Sequence, residues 1–182
     1  MRRNSRMTTM PSEQMAPPRE KRRRADATRR LANMLAEAEL RVATAESCTG
    51  GQLAALFAGD AALGPWLERG FIVYSADAKC EMLGLDRADA ERDEGVNAEA
   101  TRAMAAQALA RSRAGIAVAV TGFCGPQQGN EEVGLLFIAA AHHETRVEEH
   151  HVGDIGRAAV LEAAVDLALA MLEEAAAMVA AR

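Results

Sequence analysis

The sequence predicts an α/β protein, a three-layer α/β/α sandwich around a mixed, mostly parallel sheet. Short apolar runs that are typical of strands alternate with alanine-rich runs at helical spacing. The run 116–120 is apolar at every position, as expected of a strand that is covered on both faces. Two further strand patterns, 133–141 and 145–152, flank His142-His143-Glu144 and predict a hairpin. That hairpin makes the sheet mixed rather than purely parallel.

The patterns in residues 26–74 predict two helices and two strands. Leu31 and Leu35 belong to a near-helical apolar pattern that predicts a helix at 26–38. A buried strand is predicted at 41–45 and a helix at 50–58, and a turn containing Gly64-Pro65 follows. The next strand is predicted at 71–74.

From Ser75 onward, the chain carries clear helix signals. Ser75 is expected to cap a helix that contains Lys79 and that Gly84 ends. Asn97 is expected to cap a long helix that reaches about residue 113. After the strand at 116–120 come a glycine-containing loop, the hairpin and a final helix at 155–179. Helices and strands alternate without internal repeats, which favours a layered α/β domain.

Composition predicts one domain with a sizeable core. The chain has 182 residues, of which 49% are hydrophobic, 26% charged and 3% aromatic. The core is therefore expected to consist mainly of Ala, Leu, Val and Met. No apolar stretch approaches the ~20 residues that a membrane span needs. Three cysteines without a CxxC pair argue against a disulfide framework or a cysteine-based zinc site and favour a reducing cytoplasm.

The charge is unevenly distributed. Residues 1–30 contain ten Lys/Arg and three Asp/Glu, whereas the remainder contains eleven basic and twenty-three acidic residues. We expect residues 1–25 to be a disordered basic N-terminal extension and residues 26–182 to be the domain, because the extension has no apolar period. It also lacks the apolar segment of a signal peptide. Nucleic-acid contact through residues 1–30 is the less favoured alternative.

The segment from Ser47 to Gly51 offers a nucleophile beside a helix N-terminus. It places a hydroxyl, a thiol and two glycines between a predicted strand and a predicted helix. Backbone N–H groups and the helix dipole can hold an anion there. A second glycine-containing loop, 121–129, follows the next buried strand. Loops at strand C-terminal ends meet at one edge of such a sheet, so Tyr74 and Lys79 are expected near Ser47.

Lys79 is the candidate base for Ser47. The chain has only two lysines, and Lys21 lies in the basic extension. A desolvated lysine can lose its proton, which arginine cannot, although an ordinary exposed lysine is an equally good interpretation of the composition. A Ser–Lys pair is a known substitute for the Ser–His–Asp triad. Cys48 is the competing nucleophile but is expected to pack as a small hydrophobe, and Glu46 is expected to be a buried pairing partner.

Two histidine pairs and one arginine leave alternatives open. If the hairpin forms, His142-His143 and His150-His151 could approach and bind a metal, but only one member of each pair would share a face. Solvated histidines are the favoured interpretation, and no metal site is predicted. Arg157 near the start of the last helix can either hold a phosphate through its planar fork or form a surface ion pair.

The chain contains, in this order, the segments 44–51 (TAESCTGG), 68–71 (ERGF), Tyr74-Ser75 with Ala78-Lys79, Thr121-Gly122 with Gly125-Pro126, and Gly153-Asp154. Together they resemble the C-terminal domain of the competence/damage-inducible protein CinA, the family of nicotinamide-mononucleotide amidohydrolases (PncC). The resemblance covers about residues 26–182.

The resemblance implies hydrolysis of the carboxamide of nicotinamide mononucleotide to nicotinate mononucleotide and ammonia. It implies Ser47 as nucleophile, Lys79 as base and Tyr74 as an assisting group, without a metal or an organic cofactor. The implied substrate-binding residues are Thr49, Gly50, Gly51, Thr121, Gly122, Gly125 and Arg157. The implied partner is a pyridine mononucleotide in the cytoplasm, and homo-oligomerisation stays open. The alternative is a catalytically impaired nucleotide-binding module of the same fold.

The chain departs from the family pattern mainly in its second loop. The family usually reads Thr/Ser-Gly-Ile-Ala-Gly-Pro, but Phe123-Cys124 replaces Ile-Ala, and a shorter segment with Gln127 and Gln128 follows. Asn97 stands where serine is common, and Arg157 is displaced from the usual Gly-Asp-Arg. We expect the two glutamines to narrow or re-polarise the pocket, so the reaction type is better determined than the substrate.

Overall fold

The structure, a computed structural model, describes residues 19–181. Most of the predicted extension at 1–25 therefore lies outside the described residues. Within the described range, no helix combines the length and the apolar character needed to cross a membrane.

Five strands form one mixed sheet in the order β2-β1-β3-β4-β5. β1 pairs in parallel with β2 and β3, whereas β3 with β4 and β4 with β5 are antiparallel. Four strands therefore point the same way, and the predicted mixed, mostly parallel sheet is confirmed. The strands are β1 (Val42–Glu46), β2 (Leu67–Ile72), β3 (Ile116–Gly122), β4 (Leu135–Ala141) and β5 (Thr145–His151).

Helices cover both faces of this sheet, as the predicted three-layer sandwich requires. The helices are α1 (Arg19–Glu37), α2 (Gln52–Gly59), α3 (Ala76–Leu83), α4 (Arg87–Glu91), α5 (Ala98–Ala110) and α6 (Arg157–Ala180). Residues of α1, α2 and α6 share one core cluster, whereas residues of α3, α4 and α5 share the other. Short 3₁₀ turns occupy Gly64–Trp66 and Arg92–Gly95.

The two faces of β3 carry side chains of different size. Ile116, Val118 and Val120 belong to the cluster that includes α6, and Ala117 and Ala119 belong to the cluster that includes α5. This alternation follows from the two-residue period of a strand. Both faces are fully buried, which explains why the sequence of β3 shows no polar alternation.

α1 begins at Arg19, seven residues before the predicted start of the domain. Arg24 anchors this first part of the helix to α6. Its Nε lies 2.5 Å from Asp166 Oδ1, and its Nη2 donates to Glu162 O at 3.1 Å. The positive charge that suggested a separate extension is therefore partly used to dock the helix, and residues 1–18 lie outside the described part.

The hairpin forms as predicted, and it keeps the two histidine pairs apart, against the less favoured alternative in which they approach each other. Leu135 pairs with His151 at one end of the hairpin, whereas His142 and His143 lie in the turn at the other end. Seven strand residues at ~3.4 Å each separate the two pairs by about 20 Å. Among residues 19–181, no group of three His, Cys, Asp or Glu side chains could hold a metal ion. His151 instead contacts Glu132, and this contact raises the pKa of His151.

Candidate active site

Ser47 lies at the C-terminal end of β1, where the chain turns into α2. Its backbone N–H donates to Val120 O of the neighbouring strand β3 at 3.0 Å. This bond continues the parallel ladder by one residue and fixes the turn to the centre of the sheet. The Ser47 side chain is 7% exposed. The predicted nucleophile is thus held rigidly at the edge where the ends of the parallel strands meet.

Glu46 organises the turn from beneath. Its carboxylate is fully buried and accepts hydrogen bonds from five groups: Thr49 Oγ1 (2.7 Å), Ala54 N (2.8 Å), Leu53 N (3.0 Å), Gly51 N (3.1 Å) and Thr44 Oγ1 (3.3 Å). Three of these donors are backbone amides at the start of α2, where a negative charge is stabilised by the helix dipole. Glu46 is therefore a buried partner of the helix, as expected.

This arrangement gives Thr49, Gly50 and Gly51 a structural role, and their role in substrate binding stays a prediction. Thr49 donates its hydroxyl proton to Glu46, and the Gly51 amide donates to the same carboxylate. The Gly50 amide donates to Ser47 O at 3.1 Å. None of the three lines the cavity beside Ser47. The Gly50 and Gly51 amides, which were expected to help cradle an anion, are therefore already bonded within the protein.

A cavity of about 290 Å³ lies beside Ser47. Five of the residues predicted for the site line it: Ser47, Tyr74, Gly122, Gly125 and Arg157. Tyr74 is 62% exposed, so its ring lies at the opening rather than beneath the serine. The cavity is open to solvent on one side and polar in its lining, which suits a small charged ligand.

Thr121 does not reach this cavity, although it was predicted to bind the substrate. Its hydroxyl lies 2.7 Å from Thr101 Oγ1, and Thr101 donates its own proton to Asn97 O at 2.7 Å. Thr101 therefore accepts from Thr121. The hydroxyl of Thr121 is fully buried and serves to join β3 to the first turn of α5.

Gly122, Gly125 and Arg157, which belong to β3, the second loop and α6, line a further part of the cavity. A Cβ at Gly122 would meet Leu136 Cδ2 and come within 2.9 Å of Leu135 O, so a larger residue would separate β3 from β4. Arg157 begins α6 and donates from Nη1 to Gly125 O at 2.7 Å. This bond uses one guanidinium donor of Arg157 and ties the second loop to the last helix.

Lys79 is buried, which decides between the two interpretations that composition left open. It lies on α3 with 1% of its surface exposed, and its Nζ donates to Glu94 O at 3.4 Å. Burial lowers the pKa of Lys79, although the nearby Cys48, Cys80 and Glu94 oppose part of this shift. A lysine in this setting loses its proton more readily than one in water.

Lys79 lies within electrostatic range of the turn that carries Ser47 but is not bonded to Ser47. Within residues 19–181, no hydrogen bond joins Ser47 Oγ to Lys79 Nζ, and Lys79 does not line the cavity. A thiolate at Cys48, the residue after Ser47, would raise the pKa of Lys79, so the amine lies within electrostatic range of the turn. The bond from Lys79 to Glu94 O is longer than the usual 2.7–3.2 Å and therefore weak.

Cys48 is held as a thiol by a second cysteine. The adjacent thiol of Cys124, together with burial, raises the pKa of Cys48 well above its ordinary value. The interaction with Cys48 lowers the pKa of Cys124, and the charge of Arg157 adds to this shift. Cys48 is half-buried against the core, as expected, but it also lines the cavity. A protonated thiol is a poor nucleophile.

Comparison with known proteins identifies the family. The family model of the CinA C-terminal domain matches residues 24–176. The chain belongs to the CinA C-terminal domain family. It is 42% identical over 113 residues to a CinA-like protein of Chlorobium limicola, and these cover 61% of this chain and 26% of that protein. It is 40% identical over 102 residues to the nicotinamide-nucleotide amidohydrolase PncC of Escherichia coli, covering 55% of this chain and 62% of PncC.

A solved structure supports the same assignment. The competence/damage inducible protein CihA of Agrobacterium tumefaciens has a TM-score of 0.77 and 38% sequence identity, covering 81% of this chain and 92% of CihA. The chain therefore matches nearly the full length of that structure. By contrast, it spans about a quarter of the Chlorobium protein and less than two thirds of PncC.

The cavity of this CinA-family domain also contains charged residues that the sequence did not reveal as site residues. Glu94 and Glu131 both line it, as does Gln128. Gln127 instead turns back into its own loop, donating to Gly129 O at 3.0 Å and to Glu131 O at 3.2 Å. Only one of the two glutamines that were expected to alter the pocket therefore faces it. The departure from the family pattern was the signal for Gln128, whereas no motif indicated Glu94.

Proposed function

We propose that the protein hydrolyses the carboxamide of nicotinamide mononucleotide to nicotinate mononucleotide and ammonia. The observation that carries this proposal is the burial of Lys79, which is 1% exposed and within electrostatic range of the turn whose Ser47 lines a cavity. A serine hydroxyl needs a base near neutral pH, and a desolvated lysine can be one. The activity of the PncC relative supports the choice of substrate.

The reaction would proceed through an acyl-enzyme. The neutral amine of Lys79 leaves its weak contact with Glu94 O and takes the hydroxyl proton of Ser47. Ser47 Oγ then forms a bond to the carboxamide carbon, and the carbonyl π electrons move to oxygen. When the intermediate collapses, the C–N bond breaks and the lysine ammonium returns its proton to the leaving ammonia. Water, activated by the same amine, then cleaves the ester and regenerates Ser47.

The remaining groups would hold the two ends of the substrate. Arg157 can bind the phosphate with the guanidinium donors that are not bonded to Gly125 O. The phenol of Tyr74 stands at the opening of the cavity, where it can assist in proton transfer. Backbone amides near Ser47 and Gly122 are the proposed donors to the developing oxyanion, an interaction worth ~3–4 kcal/mol of barrier per donor. Cys48 competes poorly with Ser47 because it stays protonated.

Ammonia release from nicotinamide mononucleotide tests the proposal. We expect the full chain to release one ammonia for each nicotinate mononucleotide formed, and Ser47→Ala to lose at least 99% of this turnover. A folded Ser47→Ala variant that retains wild-type turnover would exclude the serine mechanism. A wild-type protein that binds the nucleotide without releasing ammonia would favour the second candidate below.

The second candidate is a nucleotide-binding module with impaired turnover. One observation favours it: Lys79 Nζ donates to Glu94 O and forms no hydrogen bond with Ser47 within the described range. In that case, isothermal titration would detect binding of nicotinamide mononucleotide at concentrations where no ammonia is formed.

The proposed setting is the cytoplasm. Cys48, Cys80 and Cys124 are free thiols, which suits a reducing compartment. The proposed chemistry requires neither a second subunit nor nucleic acid, so homo-oligomerisation and binding through residues 1–30 are separate questions.

A further inference from the structure

The charges around the cavity are of both signs. Among the described lining residues, Arg157 is basic, whereas Glu94 and Glu131 are acidic. The proposed function uses Arg157 for a phosphate but assigns no role to either carboxylate. A ligand that carries a negative group at one end and a positive group at the other would be complementary to this set.

Glu94 lies at the reacting end of the cavity. Its backbone oxygen accepts the hydrogen bond from Lys79 Nζ, and its charge acts on the same amine. Arg157 lines a further part of the cavity, where it binds Gly125 O and its charge acts on Cys124. The substrate carboxamide must meet Ser47 near Lys79, so the ring that bears it would lie beside Glu94.

The two carboxylates also differ in their partners. The Glu131 carboxylate accepts a short hydrogen bond from the backbone N–H of Gln128 and is thereby tied to its own loop. The Glu94 carboxylate forms no hydrogen bond or ion pair with any residue in the range 19–181. Glu94 is exposed to solvent where it lines the cavity. A carboxylate without an internal partner can bind a cationic ligand without first giving up a contact.

The backbone that presents Glu94 is strained. Asp93, Glu94 and Gly95 follow one another with φ values of 49°, 56° and 72°, all left-handed. A left-handed conformation costs roughly 1–2 kcal/mol for each of the two non-glycine residues, and such strain concentrates at functional sites. Asn97 supports the run by donating from Nδ2 to Arg92 O at 2.8 Å. Serine, which the family commonly has at this position, has no side-chain NH₂ group to donate in this way.

We infer that Glu94 is a specificity-determining residue that selects an amide whose ring carries a positive charge, such as an N-ribosylated pyridinium. This inference rests on the proposed function, because it assumes that the amide is delivered to Ser47. The carboxylate attracts the ring cation while Arg157 attracts the phosphate, and the two contacts together set the direction in which the nucleotide enters.

Glu94 also acts on the base, and the test must separate the two effects. Its charge raises the pKa of Lys79 and thus opposes formation of the neutral amine. Removing the charge would therefore weaken attraction of the ring while easing deprotonation of Lys79. Binding measured without turnover does not depend on how readily Lys79 takes the proton of Ser47, so it excludes the effect on catalysis.

The experiment compares two ligands in a Ser47→Ala background by isothermal titration. One ligand is nicotinamide mononucleotide, and the other is its neutral analogue, in which carbon replaces the ring nitrogen (benzamide riboside 5′-phosphate). We expect Glu94→Gln to raise the Kd of the cationic ligand about tenfold, equivalent to ~1.4 kcal/mol, and to change that of the neutral ligand less than about twofold. Asp93→Asn is the matched control. It removes the carboxylate of the neighbouring residue, which has the same left-handed backbone but does not line the cavity, so it should change neither Kd.

An equal loss for both ligands, or no loss for either, would overturn the assignment of Glu94. Glu94→Gly removes the same carboxylate, and glycine readily adopts the left-handed backbone, so it repeats the test if Glu94→Gln folds poorly. If the Ser47→Ala protein binds neither ligand, the proposed function fails and the inference fails with it. If it binds both and only the discrimination is absent, the inference alone is refuted.

Discussion

Replacing Glu46 by glutamine tests whether its carboxylate holds the nucleophile turn together. Glu46→Gln keeps the shape of the side chain but replaces one acceptor oxygen with an NH₂ group. In the better orientation, the new NH₂ group faces Thr44 Oγ1 and Ala54 N. The Thr44 hydroxyl can rotate and accept a hydrogen bond from it, whereas the Ala54 backbone N–H is a donor and cannot accept one. The Ala54 amide is then buried without its acceptor, and the remaining donors face a neutral oxygen.

The expected loss of stability is about 3 kcal/mol. A hydrogen bond to a charged group contributes ~1.5–3 kcal/mol and a neutral one roughly half as much, so one bond is lost and three are weakened. The relief of burying a neutral amide instead of a carboxylate offsets part of this loss. For a protein of this size, 3 kcal/mol corresponds to a fall in Tm of about 6–12 °C.

Urea unfolding followed by circular dichroism measures this change directly. Glu81→Gln is the control, because Glu81 is exposed on α3, and it should change the free energy of unfolding by less than about 0.5 kcal/mol. An unfolding free energy for Glu46→Gln within about 1 kcal/mol of wild type would show that the five bonds do not stabilise the turn, and would reopen a catalytic role for Glu46.

Two further predictions concern the cavity. In a coupled ammonia assay with nicotinamide mononucleotide, Ser47→Ala should abolish turnover, whereas Cys48→Ala should retain more than about a tenth of wild-type kcat. An inactive Cys48→Ala variant beside an active Ser47→Ala variant would make Cys48 the nucleophile. Gln128 lines the cavity, so Gln128→Ala should remove a contact with the nucleotide worth ~1 kcal/mol. The KM for the nucleotide should therefore change about threefold or more. Gln127→Ala, on the same loop but turned away, is its control, and equal KM values for Gln128→Ala and wild type would place the loop outside the binding site.

Local sequence signals predicted the elements whose ends are set by local chemistry. Ser75 accepts a hydrogen bond from Ala78 N at 3.1 Å and begins α3, and Gly84 with φ 71° ends it. Both features were predicted, because capping depends on a few adjacent residues. The continuous apolar run of β3 was equally informative, since both of its faces are covered.

Elements whose residues are exposed were harder to locate. β2 begins at Leu67 and not at residue 71, because Glu68 and Arg69 lie on an edge strand where polar side chains are tolerated. The five-residue helix α4 was missed, since so short a segment carries little periodic signal. The early start of α1 depends on Arg24 meeting Asp166, a contact between distant parts of the chain.

The site was predicted in outline but not in its bonding. The sequence predicted that Ser47 and Tyr74 lie at one edge of the sheet, and both line one cavity. Composition left the role of Lys79 open, the family resemblance implied a base, and the structure shows that Lys79 is buried. It could not show that Glu46 would occupy the amides of the glycine turn, because that depends on where a buried carboxylate comes to lie. Nor could it show Glu94, whose position follows from a left-handed backbone that no motif marks.

The central claim is that neutral Lys79 is the base for Ser47, and kcat for ammonia release across pH tests it most directly. Because burial lowers the pKa of Lys79 below its ordinary 10.5, kcat should rise as pH rises through that lowered pKa and fall as protonation removes the base. Lys79→Arg keeps a positive charge but cannot supply a neutral amine, so its kcat should stay below about 1% of wild type at every pH while nicotinamide mononucleotide still binds. Substantial turnover by Lys79→Arg with the same pH profile would contradict the account, because Lys79 would then act only through its charge.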